Sequence, residues 1–411
     1  MSHTAAFPDR RQGLAAMIGL LVLSVALRPA IVSIGPVLLL IQQHFHLSFT
    51  QAALLTSIPD VCMGVLALLA PNLARRFGTD RCVVAALLLL GVATLMRALS
   101  QDTWSLLGST LLVGVGTAIA GALIGGWVKA HFPQRAALFM GLFAAGLSLG
   151  ATLAAVLTAP MVEWTQSWRV GAGMWAILCL TAVLSWMWMA RRFASTGQPA
   201  SSTPQRAGLP WRQAQAWAVA INFGAGQFTC YALFAWLAPS AADIGVTALP
   251  PGVVLGLFTS VFCVATLGTG LLPGRAEDRR GLLALSNTLT MVGMAGLAFM
   301  PTLTPIIDVV LVAVGMGMGF TLAMTLPLDN TRSSEQAGAW TVFTLFIGYL
   351  TAAFGPLAFG ALRDYTGGYG SAYEMLFAVQ VFMLCLTPLL KPTRQGYRVT
   401  EHTGIASVSP R

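Results

Sequence analysis

The sequence predicts an all-α polytopic membrane protein, with twelve transmembrane helices in two six-helix bundles. Three observations carry that expectation. The 411 residues are 56% hydrophobic and only 9% charged, against about 25% charged residues in an average soluble domain. Apolar stretches of membrane-crossing length recur along the whole chain. One long polar stretch, "RRFASTGQPASSTPQRAGLPWRQ" at residues 191–213, follows six of them and precedes six more.

In order, the spans fall near 14–41, 48–70, 82–99, 104–128, 137–160, 169–190, 214–238, 250–272, 281–300, 304–328, 338–361 and 371–390. Most reach the ~20 residues that cross a ~30 Å hydrocarbon core. Lipid offers no partner to free backbone groups, so such segments are helices. The first follows the polar "MSHTAAFPDRRQG" and is too long for the apolar region of a signal peptide, so it reads as an uncleaved membrane helix. Weak echoes link the halves: "GVGTAIAGALIGG" in the fourth span and "GMGMGFTLAM" in the tenth, "GLFAAGLSLG" in the fifth and "GYLTAAFGPLAFG" in the eleventh. Small residues at such spacing let helices approach closely. The Ser-, Pro-, Gly- and Arg-rich stretch between the halves reads as a flexible linker. The chain therefore divides into an N-terminal bundle (1–190), a cytoplasmic linker (191–213), a C-terminal bundle (214–390) and a cytoplasmic tail (391–411).

Charge sets the orientation. The even-numbered loops and the termini hold 19 of the 23 basic residues. The odd-numbered loops and their margins hold Arg97, Arg169 and Arg363, and Arg28 lies inside a span. By the positive-inside rule both termini are cytoplasmic. The same bias accounts for the net charge of +9 without nucleic acid, since basic loops favour the anionic inner leaflet.

Enzyme chemistry finds no foothold. "GLSLG" at 146–150 matches a nucleophile pattern that works only at a strand-to-helix turn, whereas here it lies mid-helix and reads as packing. The chain has no H-E-x-x-H, no phosphate loop and no G-x-G-x-x-G after a strand. The six cysteines all fall in apolar stretches without metal-like clustering and read as small hydrophobes. His44 and His46 share a short loop and read as solvated. No metal or cofactor is expected, and no loop is long enough for a soluble signalling domain.

Arg28, in "LRPAIVSIGPVLLL", and Asp60, in the second span, are the intramembrane charges of note. Each lies 13 residues from the loop joining the first two spans, counted from Ile41 and Leu47, hence about 20 Å deep at ~1.5 Å per residue. A charge at a helix centre costs ~2.5–3.5 kcal/mol on insertion scales, which pairing or a wet cavity lowers. Two readings stay open: a buried Arg28–Asp60 ion pair, or an Arg28 that faces a cavity and binds an anionic or strongly polar planar solute through its fork of donors. In the second, Asp60 competes for Arg28 and couples transport to protons. On the seventh span Phe223, Gln227, Tyr231 and Phe234 form one helical stripe, which suits a small planar solute or helix packing. Trp340 and Thr341 are further candidates for the site.

"PNLARRFGTDR" at 71–81 resembles the loop signature of the major facilitator superfamily. Arg76, Gly78 and Arg81 fit its basic pattern, while Pro71 stands where glycine is usual and Arg75 where an acid is usual. The second-half copy, "GLLPGRAEDRR", keeps Gly270 and Arg275 and has Gly274 at the acidic position. Arg28, Pro29, Ser33, Gly35 and Pro36, then Leu54, Leu55, Thr56, Pro59, Met63 and Gly64, resemble the cyanate permease and 2-nitroimidazole exporter branch of that superfamily. Leu39 and Asp60 depart from it, and "PLDNTRSSEQAG" at 327–338, with Asp329, resembles its segment after the tenth span. The resemblance implies a monomeric secondary transporter of the bacterial inner membrane, working by alternating access on a small polar or anionic solute, either a cyanate-like anion or a small nitroaromatic heterocycle. A broad drug exporter of the same fold is the alternative. Arg28, Asp60, Phe223, Gln227, Tyr231 and Trp340 would then line the site. Asp60, Arg76, Gly78, Arg81 and Asp329 would serve coupling and gating.

Overall fold

The computed structural model describes residues 10–132, 135–194, 208–247, 249–271, 279–331 and 334–391. Among these residues every regular element is a helix, and twelve are long and apolar enough to cross a membrane. They are span 1 (Gly13–Phe45), span 2 (Phe49–Phe77), span 3 (Thr79–Ala98), span 4 (Thr103–His131), span 5 (Leu138–Thr165), span 6 (Trp168–Phe193), span 7 (Ala214–Trp236), span 8 (Pro251–Gly270), span 9 (Arg280–Phe299), span 10 (Pro305–Asp329), span 11 (Gln336–Thr366) and span 12 (Gly370–Leu389). Much of the linker and the "GLLPGRAEDRR" loop lie outside the described residues.

Local sequence explains where these helices start and bend. Ser48 caps span 2 reciprocally with Gln51, and Asp102 caps span 4 by accepting from the Ser105 N–H at 2.9 Å. That N–H holds the Asp102 carboxyl below the usual range. The expected continuous first helix is broken at Arg28 and again at Ser33. Pro29 and Pro36 lack the N–H groups that would bond the carbonyls of Val25 and Val32. Span 11 breaks likewise at Ala353, three residues before Pro356. Span 2 runs further than its hydropathy suggests. Arg75 and Arg76 sit in its last turn, and Gly78, at φ 88°, is the joint to span 3.

The packing repeats by six. Spans 1–5, 2–4, 3–4 and 3–6 pack as neighbours, and so do spans 7–11, 8–10, 9–10 and 9–12. Each repeated pair joins helices of the same half. The halves meet where span 1 touches span 7, span 2 touches span 11, and span 5 touches span 8.

Glycines permit the closest of these approaches. A Cβ on Gly150 of span 5 would strike the Val25 carbonyl, and one on Gly35 of span 1 would strike the Phe234 carbonyl of span 7. The "GLSLG" glycines therefore serve helix packing.

The polar and ring contacts between the halves cluster toward one face, that of the loops after odd-numbered spans. There the Asp364 carboxylate of span 11 accepts from the backbone N–H groups of Phe49 and Thr50 at 2.9 and 2.8 Å. The Phe49 ring lies 5.8 Å from that of Trp236. Deeper, the hydroxyls of Thr152 and Thr259 meet at 3.1 Å.

Candidate functional site

The break in span 1 turns Arg28 toward the second half of the chain. Its Nη1 donates to the Tyr231 hydroxyl of span 7 at 2.8 Å, and the guanidinium carbon lies 5.7 Å from the centre of that ring. Arg28 is half-buried, and its other guanidinium nitrogens make no hydrogen bond among the described residues. Tyr231 is fully buried, and its hydroxyl donates in turn to the Met63 sulfur at 3.9 Å. The Tyr349 ring of span 11 stands 6.2 Å from that of Tyr231. A cation, two phenols and a thioether thus converge from spans 1, 2, 7 and 11.

Asp60 is fully buried, and neither carboxylate oxygen has a hydrogen-bond partner. It lies within electrostatic reach of Arg28, yet the two form no ion pair. Among the described residues the single ion pair is Arg279–Asp329, at 3.1 Å. The simple buried pair that matched depth suggested is absent: depth along two helices does not fix the direction in which each side chain points.

The other candidates fall in several places. Phe234 packs edge-on against Tyr231, with ring centres 5.6 Å apart. Phe223 and Gln227 line a separate pocket inside the second half, among spans 7 to 10 and 12. Phe223 links it to the Arg28 group through Tyr349, 5.9 Å away. Trp340 is not brought to Arg28. It is buried in a small cluster with Ala216, Leu326 and Phe343, because it stands near the start of its helix. Thr341 spends its hydroxyl on the Ala337 carbonyl. Arg76, Gly78 and Arg81 are exposed together at the joint of spans 2 and 3. Asp329 ends span 10 in its pair with Arg279. His44 approaches Arg169 Nη2 at 3.3 Å, while His46 ends its helix in a left-handed turn.

Two features escape a reading by pattern. Tyr349 sits in a run without a motif, and only the folded chain brings it to Tyr231. Arg97, counted with the loops, is fully buried. Its Nη1 donates to the Ala30 carbonyl at 2.6 Å, in the short Pro29–Val32 segment beside Arg28, and its Nε and Nη2 lack partners. The apolar run continuing past it to Leu99 was the available signal.

Comparison with known proteins agrees with this architecture. The family model described as Major Facilitator Superfamily matches residues 14–356. The chain is 32% identical to the cyanate transport protein CynX of Escherichia coli (strain K12) over 377 residues, covering 91% of this chain and 97% of that protein. It is 28% identical to the uncharacterized transporter YycB of Bacillus subtilis (strain 168), covering 89% of this chain and 90% of that protein. It is also 28% identical to the 2-nitroimidazole transporter of Escherichia coli (strain K12), covering 85% of this chain and 88% of that protein. Twelve membrane-length helices packed in a pattern that repeats by six, together with these matches, make the chain a multi-pass membrane transporter that belongs to the major facilitator superfamily.

Proposed function

We propose that this transporter is a secondary carrier for a small polar or anionic solute, moved by alternating access around a midplane site built on Arg28. One observation carries the reading. Arg28 is a half-buried guanidinium deep among the spans, bonded to a neutral phenol and to no carboxylate. Its remaining donors are unspent. A planar fork in such a setting suits an anion or a strongly polar planar group. The relatives named for cyanate and 2-nitroimidazole are consistent with solutes of that size.

In this reading the loops after odd-numbered spans face outside, and both termini and the 191–213 linker face the cytoplasm. The contacts between the halves cluster on the outer side, which is the closed side, so the site communicates with the cytoplasm. The halves rock as bundles 1–190 and 214–390. Asp60 is the candidate coupling group, with protons as the partner ion, in a monomer of the bacterial inner membrane. Its partnerless carboxyl near Arg28 supports that role.

The test is transport in reconstituted vesicles, with cyanate and 2-nitroimidazole as probes, with and without a pH gradient. Wild-type protein moves one of them, and Arg28→Gln does not. Equal transport by the two proteins removes Arg28 from the site.

A further inference from the structure

The Arg28 site leaves Arg97 unexplained. This arginine of span 3 is fully buried, and no carboxylate pairs with it among the described residues. Its Nη1 donates to the Ala30 carbonyl at 2.6 Å, while Nε and Nη2 have no partner. One hydrogen bond does not replace the lost hydration of a buried charge, and an apolar side chain of similar volume would fill the place at lower cost.

The acceptor gives the reason for a donor there. Ala30 lies in the one-turn segment Pro29–Val32, between the breaks at Arg28 and Ser33. In an unbroken helix its carbonyl would accept from the Ile34 N–H. The helix instead ends at Val32 and restarts at Ile34, which removes that donor. The Arg28 carbonyl accepts from the N–H groups of Ile31 and Val32, and the Pro29 carbonyl from that of Ser33, each at 3.0 Å. The Ala30 carbonyl is satisfied from outside the turn, by Arg97. Arg28 stands at the N-cap of the same turn, so the tilt of the turn aims the guanidinium that meets the Tyr231 hydroxyl at 2.8 Å. Arg97 itself has a fixed base. The Ser100 hydroxyl donates to the Arg97 carbonyl at 2.7 Å. Arg169 Nη1, from span 6, donates to the Ala98 carbonyl at 3.0 Å and to the Ser100 carbonyl. The end of span 3 is thus tied to span 6 on one side and, through Arg97, to the break in span 1 on the other.

We infer that Arg97 is a positioning residue for the solute site: its hydrogen bond to the Ala30 carbonyl holds the turn that aims Arg28 at Tyr231. Its effect on transport rests on the reading of Arg28 as solute ligand, whereas its hold on Arg28 is measured without transport.

The experiment follows the modification of Arg28 by phenylglyoxal, which condenses with a free guanidinium, in the full chain in detergent, read by peptide mass spectrometry. Arg97→Met keeps much of the side-chain volume and removes the donor. It should speed modification of Arg28 about tenfold, as expected for one hydrogen bond lost, matching Tyr231→Phe, which frees Arg28 directly. The two substitutions together should react no faster than either alone. Arg97→Lys keeps a donor for Ala30 and should stay near the wild-type rate. Arg97→Gln, neutral and shorter, takes the place of Arg97→Met if that variant fails to fold. An Arg28 rate that stays at the wild-type value overturns the inference, as does an equal rise in Arg97→Lys. In vesicles, Arg97→Met should raise the concentration of cyanate or 2-nitroimidazole needed for half-maximal exchange about tenfold, and should add nothing in an Arg28→Lys background; an additive effect overturns the inference too. Normal exchange by Arg28→Lys would remove Arg28 from solute binding and leave the modification rates to decide the role of Arg97, so the two failures are distinguishable.

Discussion

Asp364 ties the two halves together at the loop face where they meet, and Asp364→Ala tests that closure. Its carboxylate accepts from the Phe49 N–H at 2.9 Å, the Thr50 N–H at 2.8 Å and the Thr50 hydroxyl at 2.6 Å. The two backbone donors open span 2 and have no intrahelical acceptor. Losing an N-terminal acceptor of this kind costs about 0.5–2 kcal/mol. Asp364 is exposed, so water replaces part of what is lost, and about 1 kcal/mol is the working value, or about a fivefold shift. The loss falls on the state closed at this face, because the open state separates span 2 from span 11. Spin labels on Gln166→Cys and Thr247→Cys, exposed at the facing ends of spans 5 and 8, report the opening. The background must lack Cys385, which is exposed. Asp364→Ala should raise the long-distance population about fivefold. An unchanged distance distribution with a lower melting temperature would refute the reasoning and leave Asp364 a helix cap alone.

Three further outcomes follow from the same structure. A cysteine at Ser202 in the linker should resist impermeant thiol reagents in intact cells and react after permeabilisation, and labelling in intact cells would reverse the orientation. Asp60→Asn keeps the shape of a buried group whose oxygens make no hydrogen bond; it should fold normally and flatten the pH profile of transport, and superimposable curves would deny Asp60 a coupling role. Tyr231→Phe removes the hydroxyl that holds Arg28 Nη1 at 2.8 Å. A hydrogen bond to a charged group is worth about 1.5–3 kcal/mol, so apparent solute affinity should change by tenfold or more, and an unaltered affinity would separate Tyr231 from the site.

The fold was legible because lipid imposes one rule on every span. Twelve apolar runs in the sequence correspond to twelve helices in the structure, with errors at the ends where polar residues continue a helix, as at Arg75 and Arg76. The breaks at Arg28 and Ala353 were signalled by the prolines after them. The site was legible only in its first pair. Arg28 and Tyr231 both stood out, one as a charge in lipid and the other on a stripe of span 7. Their contact was not readable, because it depends on how span 7 packs against span 1. Asp60 shows the converse: its depth was readable and its direction was not. The stripe itself splits, since Tyr231 and Phe234 pack beside Arg28 while Phe223 and Gln227 line the separate pocket inside the second half. A helix turns ~100° per residue, so small departures from one face send neighbours to different cavities. Tyr349 lies far along the chain from Arg28, and no local pattern marks it.

The most direct test of the central claim is exchange of labelled cyanate and labelled 2-nitroimidazole across vesicles carrying wild-type protein or Arg28→Lys. Lysine keeps the charge and loses the planar fork. Loss of one charge-assisted hydrogen bond, about 1.5–3 kcal/mol, predicts that exchange of the transported solute needs at least about tenfold more of it, with the melting temperature unchanged. Exchange by Arg28→Lys at wild-type concentrations would contradict recognition by the Arg28 guanidinium.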